Sequence, residues 1–198
     1  MNSKNTRKIM ISLGVVGAAA AVAGMGTFGT FTSTTSGSQN VASGTVNIAM
    51  GAGDLTVDAN KLVAGDTVQR AFTLANGGTA DLGAVTLTTT AQPTTKLDTD
   101  ATNGLQMKID SCSAAWTKAG TPTAPTYTCT GTTKSVIAPK PVIGAGTAVN
   151  NLAAIGAGNA DNLLVTMTLP QIADNTFQNL SSTINYKFDA TQRTAANR

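Results

Sequence analysis

From residue 46 onward, apolar and polar positions alternate in short runs broken by glycine, proline and asparagine. A period of two places alternate side chains on opposite faces of a strand, so each run predicts a half-buried strand. The first runs are 46–50 and the shorter 55–57. Leu62, Val63, Ala64, Gly65 and Asp66 read as a turn into a strand over 67–75, with Val68, Phe72 and Leu74 inward. Asn76-Gly77-Gly78-Thr79 is a turn signal, and 82–90 resumes as strand with Val85 and Leu87 on one face. Leu105 to Asp110 alternates up to Cys112. Residues 116–125 hold a glycine and two prolines and predict a loop, and Tyr127-Thr128-Cys129 predicts the strand that pairs with 105–110. Residues 136–149 are Pro/Gly-rich, and 151–155 predicts a helical turn. Residues 163–169 form the strongest strand pattern and end at Pro170. The last strand is 182–190, with Ile184, Tyr186 and Phe188 alternating. Many short strands with almost no helix predict an all-β fold: a jelly-roll-like antiparallel β-sandwich with short helical turns in its connections.

The first 30 residues follow a different pattern. Lys4, Arg7 and Lys8 precede an uncharged apolar run over 9–23, and a small-residue stretch, 24–30, follows. Positive start, apolar run and small residues are the order of an export signal, with cleavage expected between Gly29 and Thr32. A retained anchor is the other reading of this run. The expected organisation is a signal peptide over 1–30, a mature N-terminal segment over 31–43, and one β-sandwich domain over 44–198. The leader holds three of the thirteen basic residues and none of the ten acidic ones, leaving ten against ten. The sequence pI near 9.0 is therefore no argument for a nucleic-acid partner.

Composition narrows the chemistry. The chain has no histidine, and every acidic residue is aspartate. That removes Ser-His-Asp and Cys-His nucleophile systems, His-ligated zinc and the H-E-x-x-H pattern. No catalytic residue, cofactor or metal is expected, and the chain does not read as an enzyme. Asp98 and Asp100, two apart, would share a face on a strand. Their spacing resembles a calcium loop faintly, but the glycine comes late and Ile109 stands where a bidentate Glu is needed, so a solvated loop is the better reading. Cys112 and Cys129 are the two cysteines. In an exported chain they read most simply as a disulfide, the other reading being two free thiols. Trp116, Tyr127 and Tyr186 are the only Trp and Tyr residues available to an aromatic binding patch.

Several segments, taken in order, resemble the TasA/camelysin family of exported matrix proteins. Gly26-Thr27-Phe28-Gly29-Thr30-Phe31-Thr32, then Val41-Ala42-Ser43-Gly44-Thr45-Val46-Asn47-Ile48, match that family's Gly-Thr-aromatic stretch and Ala-Ser-Gly-Thr-Leu start. Leu62-Val63-Ala64-Gly65-Asp66 is similar to its Leu-x-Pro-Gly-Asp turn, with Ala64 in place of Pro. Phe72-Thr73-Leu74-Ala75-Asn76-Gly77-Gly78 is similar to the strand and turn that follow it. Tyr186-Lys187-Phe188-Asp189-Ala190-Thr191-Gln192 is similar to the closing Phe-x-Ala-Thr-Gln strand. The resemblance implies a jelly-roll domain, export, and cleavage by a dedicated signal peptidase. It also implies assembly with itself into extracellular fibres of a biofilm matrix or cell coat, with other matrix proteins as further partners. In such fibres the mature N-terminal segment completes the sheet of the next subunit, which here makes 31–43 the candidate donor and Phe31, Thr32, Ser33, Thr34, Thr35 and Ser36 the candidate assembly strand. The metalloprotease activity ascribed to camelysin-type members has no ligand set in this sequence. The alternative to a fibre protein is a secreted β-domain that binds a protein or glycan without polymerising.

Overall fold

The computed structural model describes residues 45, 47–50, 57–58, 62–122 and 124–194. Contacts divide the chain into 1–42 and 43–198, and every described residue lies in the second unit. The expected leader and the 31–43 segment, with Phe31 to Ser36, fall outside the described residues.

The described chain is an antiparallel sandwich of two main sheets. In order, its strands are β1 (Ile48–Met50), β2 (Val57–Asp58), β3 (Thr67–Asn76), β4 (Leu82–Gln92), β5 (Gln106–Cys112), β6 (Thr117–Gly120), β7 (Pro125–Thr128), β8 (Thr133–Pro141), β9 (Gly144–Ala148), β10 (Ala160–Thr168) and β11 (Thr183–Gln192). A single helical turn, α1 (Lys96–Thr99), follows β4, and two 3-10 turns occupy Ala153–Ile155 and Asn175–Phe177. One sheet runs β1-β3-β10-β5-β8 and the other β2-β11-β4-β9, with β6 and β7 as a separate hairpin. Chain order switches sheet from β3 to β4 to β5, and again from β8 through β11. This winding gives the jelly-roll character expected from the pattern.

Alternation decides which side chains meet between the sheets. Phe72 and Leu74 from β3, Met107 and Ile109 from β5, and Leu163, Val165 and Met167 from β10 are buried on one inner face. Val85, Leu87 and Ile184 are buried on the other. Phe72 and Phe188 meet across the gap with ring centroids 5.8 Å apart. Between Leu62 and Asp66 the chain does turn: Asp66 accepts the Val63 N–H through Oδ2 at 2.9 Å, and Gly65 holds φ +95°, a conformation that disfavours a side chain. The 76–79 turn also forms, with the Asn76 side chain accepting the Gly78 N–H.

The middle of the chain departs from the sequence reading. The strand that pairs with β5 is β8, not 127–129. Tyr127 belongs to β7, which pairs with β6 in a hairpin where a loop was expected. The Pro/Gly-rich stretch carries β8 and β9 at the two far edges of the sheets. Edge strands tolerate Pro139, Pro141 and glycine because one side of their backbone needs no partner.

Candidate functional site

The expected disulfide is present. Cys112 and Cys129 are bonded, with Cα atoms 5.8 Å apart. Cys112 pairs across the strands with Asn162, and the same face of β10 carries Leu164 and Thr166. That face points away from the core, yet Leu164 and Thr166 are buried. The disulfide-tied excursion supplies the cover. Trp116 donates its indole N–H to the Asn162 carbonyl at 3.0 Å, and the Tyr127 N–H donates to Gln69 Oε1 at 3.2 Å. The hairpin is thus folded back over the outer face of the five-stranded sheet. Beside the disulfide lies an open cleft of about 490 Å³ with mostly polar walls, among them Ser111, Lys134, Asn151 and Asn162.

The three aromatic candidates do not converge. Trp116 and Tyr127 are half-buried on the outer face. Tyr186 lies inside, its hydroxyl directed at Met167 Sδ. Burial pushes its phenol well above the ordinary range, the positive charge of Arg70 acting in the opposite direction.

Asp98 and Asp100 are not a strand pair and do not share a face. Asp98 lies in α1 and is buried, which corrects the solvated-loop reading. Its carboxylate completes a capping box with Thr95, accepting the Thr95 N–H at 2.7 Å, and it also accepts the Ser182 hydroxyl at 2.8 Å. Asp100 turns the other way and accepts the Asn103 and Thr102 N–H groups at 2.9 and 3.0 Å. Those main-chain donors, Asn103 first, hold its carboxyl below the usual range. Asp98 joins α1 to the start of β11, so Asp98→Ala should remove the capping box and the bond to the buried Ser182 hydroxyl and lower the unfolding free energy by about 1–2 kcal/mol, as read by urea denaturation.

The other described aspartate side chains are engaged in the same manner. Asp66 and Asp81 cap turns, Asp161 accepts the Ala153 and Ala154 N–H groups, and Asp110 and Asp189 pair with Lys108 and Lys187. Asp174 accepts from Thr176. Among the described residues no three His, Cys, Asp or Glu side chains come together as a metal-binding group. None of the described helices is long and apolar enough to cross a membrane.

The remaining feature is a strand edge that the described residues leave without a partner. β1 pairs only with Leu74, Ala75 and Asn76 of β3. Among the described residues nothing pairs with the outer side of 67–73. The alternation of the ladder says which groups are left. The Asn76 N–H and C=O turn toward the β10 side, to Asn159 and Gly158, while the Gly77 N–H bonds Asn47 on the β1 side. Even-numbered residues of β3 therefore bond β10, and Thr67, Gln69, Ala71 and Thr73 turn their N–H and C=O groups outward. The other edges are blunted. β8 carries two prolines with Lys134 and Lys140, and β9 is short and glycine-rich. β11 pairs with β2 at two residues only, but shows the Lys187–Asp189 ion pair along its solvent face. Unpaired edges invite strand addition unless charge, proline or bulges discourage it. On β3 the single charge is Arg70, which lies on the inward side and had no part in the sequence reading. Its signal was present: one cation at an inward position between Val68 and Phe72.

No curated protein matches the chain. The profile of the camelysin metallo-endopeptidase family matches residues 6–197. That description names a metal-dependent peptidase, and the donor set does not fit one. Zinc peptidase sites are built from histidine and glutamate ligands with a carboxylate base, the chain has no histidine and no glutamate, and the aspartates named above are occupied. No hydrolytic step is derived from the match, and what it establishes is kinship. With nearly its whole length covered, and with the turn and strand segments that resemble TasA and camelysin in place, the chain belongs to the camelysin family.

Proposed function

We propose that this is a secreted structural protein that assembles into extracellular fibres of a biofilm matrix or cell coat by strand addition. The 31–43 segment of one copy pairs with the 67–73 edge of β3 in the next. The observation that supports this most directly is that edge: seven residues that no described residue pairs with, proline-free, with Thr67, Gln69, Ala71 and Thr73 on the outer face of the sheet. Main-chain hydrogen bonds supply the affinity in such an addition, and alternate side chains supply the register. The donor segment is suited to it. Phe31, Thr32, Ser33, Thr34, Thr35 and Ser36 begin a stretch with no charge and no proline, and threonine favours strands.

Electron microscopy of the secreted chain, with and without residues 31–43, tests the reading. The natural chain should form fibres and the deletion should stay a folded monomer. Fibres of normal morphology from the deletion would overturn it.

The polar cleft beside the disulfide favours a second reading, a surface domain that binds a protein or glycan. The same deletion separates the two, because a binding domain keeps its ligand when 31–43 is lost.

A further inference from the structure

The inner face of the five-stranded sheet changes character at one end. Along β5 the core row runs Met107, Ile109, Ser111, and the first two are among the most deeply buried side chains. Ser111 is only 6% exposed, yet it brings a hydroxyl where the row has so far supplied hydrocarbon. Its cross-strand neighbours are Leu163 on β10 and Lys134 on β8. Directly opposite residues of an antiparallel pair share a face, so Lys134 stands on the same face as Ser111. The row is apolar toward β10 and polar toward β8, where it meets the cleft beside the disulfide. The segments that enter and leave these walls, 105–122, 124–142 and 149–169, are all described.

Three groups of the cleft are uncommitted. Among the described residues the Ser111 hydroxyl has no hydrogen-bond partner, although a polar side chain this deeply buried ordinarily has one. Lys134 is exposed and in none of the ion pairs. Asn151 donates its side-chain amide to the Ser135 carbonyl at 2.8 Å, which leaves its own side-chain oxygen to accept. Asp161, the carboxylate of the wall, is committed. Its two oxygens accept the Ala153 and Ala154 N–H groups at 3.0 and 2.7 Å. It fixes the connection that closes the cleft and leaves the Lys134 ammonium without a counter-charge.

We propose that this cleft binds an acidic sugar residue, a uronate of an extracellular polysaccharide. The Lys134 ammonium pairs with the sugar carboxylate, and Ser111 and Asn151 bond the ring hydroxyls. The match is one of hydrogen-bonding capacity. A sugar hydroxyl both donates and accepts, which suits a serine hydroxyl and an amide oxygen, whereas an ammonium only donates and is served best by an anion. The cleft volume of about 490 Å³ falls in the range of small-molecule sites. A single lysine, with no arginine fork beside it, is a poor seat for a phosphate chain. An acidic peptide offers the carboxylate without the hydroxyls around it. The inference rests on the glycan-binding reading of the cleft and is independent of strand addition.

The test is calorimetric titration of the secreted chain, at one low ionic strength, with three probes: a short oligogalacturonate, its methyl ester, and an oligoglutamate of equal charge. The natural chain should bind the acid about tenfold more tightly than the ester, the size of one charge-assisted bond. Lys134→Gln should bring acid and ester within about twofold of each other, since the charge is gone from both sides of the comparison. Ser111→Ala should weaken both sugars about fivefold and keep their ratio. Melting curves check that the variants are folded, and exposed Lys134 keeps the test decisive should Ser111→Ala fail to fold. Equal binding of acid and ester by the natural chain, or an unchanged ratio in Lys134→Gln, overturns the choice of an acidic sugar. Oligoglutamate bound as tightly as oligogalacturonate shows that the cleft reads charge alone and overturns the sugar. Failure of the natural chain to bind either sugar overturns the glycan reading itself, whatever electron microscopy shows of fibres.

Discussion

Replacing Cys112 and Cys129 together by serine is expected to lower the unfolding free energy by about 3 kcal/mol, the chain-entropy value for a loop of this size. The separation is 17 residues. The double variant is the right one, since a single replacement leaves a thiol free to form mixed disulfides. The loss should not be spread evenly. The disulfide fastens the hairpin of β6 and β7 over the outer face of the five-stranded sheet, where β6 itself is exposed along its whole length. Apart from the disulfide, the Trp116 and Tyr127 hydrogen bonds are its named ties to β10 and β3. Reduced or serine-substituted protein should therefore be cut by proteases within 113–128 well before the sandwich opens. Urea denaturation gives the global loss, and mapping of the first proteolytic cuts gives the local one. A cut pattern unchanged from the oxidised protein would mean that the hairpin holds its place without the covalent tie.

The same hairpin shows where the sequence stops being informative. Strands β3, β4, β10 and β11 are legible because one face of each meets the core. Val68, Phe72 and Leu74, or Ile184, Tyr186 and Phe188, repeat at the period of a strand. β6 has no buried side chain, so nothing in Thr117-Lys118-Ala119-Gly120 repeats. Its pairing is imposed by the turn to β7 and by the disulfide. β8 was hidden for a different reason. Pro139 and Pro141 break the pattern of a central strand, and only its place at the edge of the sheet makes them tolerable. Asp98 and Asp100 were misplaced because residues two apart share a face on a strand, whereas here they flank the end of a single helical turn. Thr95 and Asp98 are three apart and satisfy a capping box, and that spacing was readable. The disulfide was readable from the cysteine count together with the expectation of export. The β3 edge was not, because an edge is defined by the strand that is not beside it.

Ala71→Pro should abolish fibre growth and leave the subunit folded, with a melting temperature close to that of the natural chain. The two halves of that expectation come from the same alternation. The Ala71 N–H points outward from β3, so proline there removes no hydrogen bond to β10. Proline's fixed φ is acceptable in an edge strand, and the residue before it is pushed only toward the extended region that Arg70 already occupies. For an incoming strand the change is severe. One donor disappears from the middle of the 67–73 edge, and the proline ring stands where the strand's carbonyl would approach. Val68→Pro is the contrasting substitution. Its N–H belongs to the ladder with Met167, and its loss from inside the sheet should lower the melting temperature sharply and unfold much of the chain. Fibre growth followed by light scattering, together with melting curves of both variants, separates an assembly defect from a folding defect. A folded Ala71→Pro protein that still grows fibres at the natural rate would show that β3 is not the acceptor. The side of β11 that no described residue pairs beyond Val57 and Asp58 would then be the edge to disable next, through Lys187 and Asp189 on its solvent face.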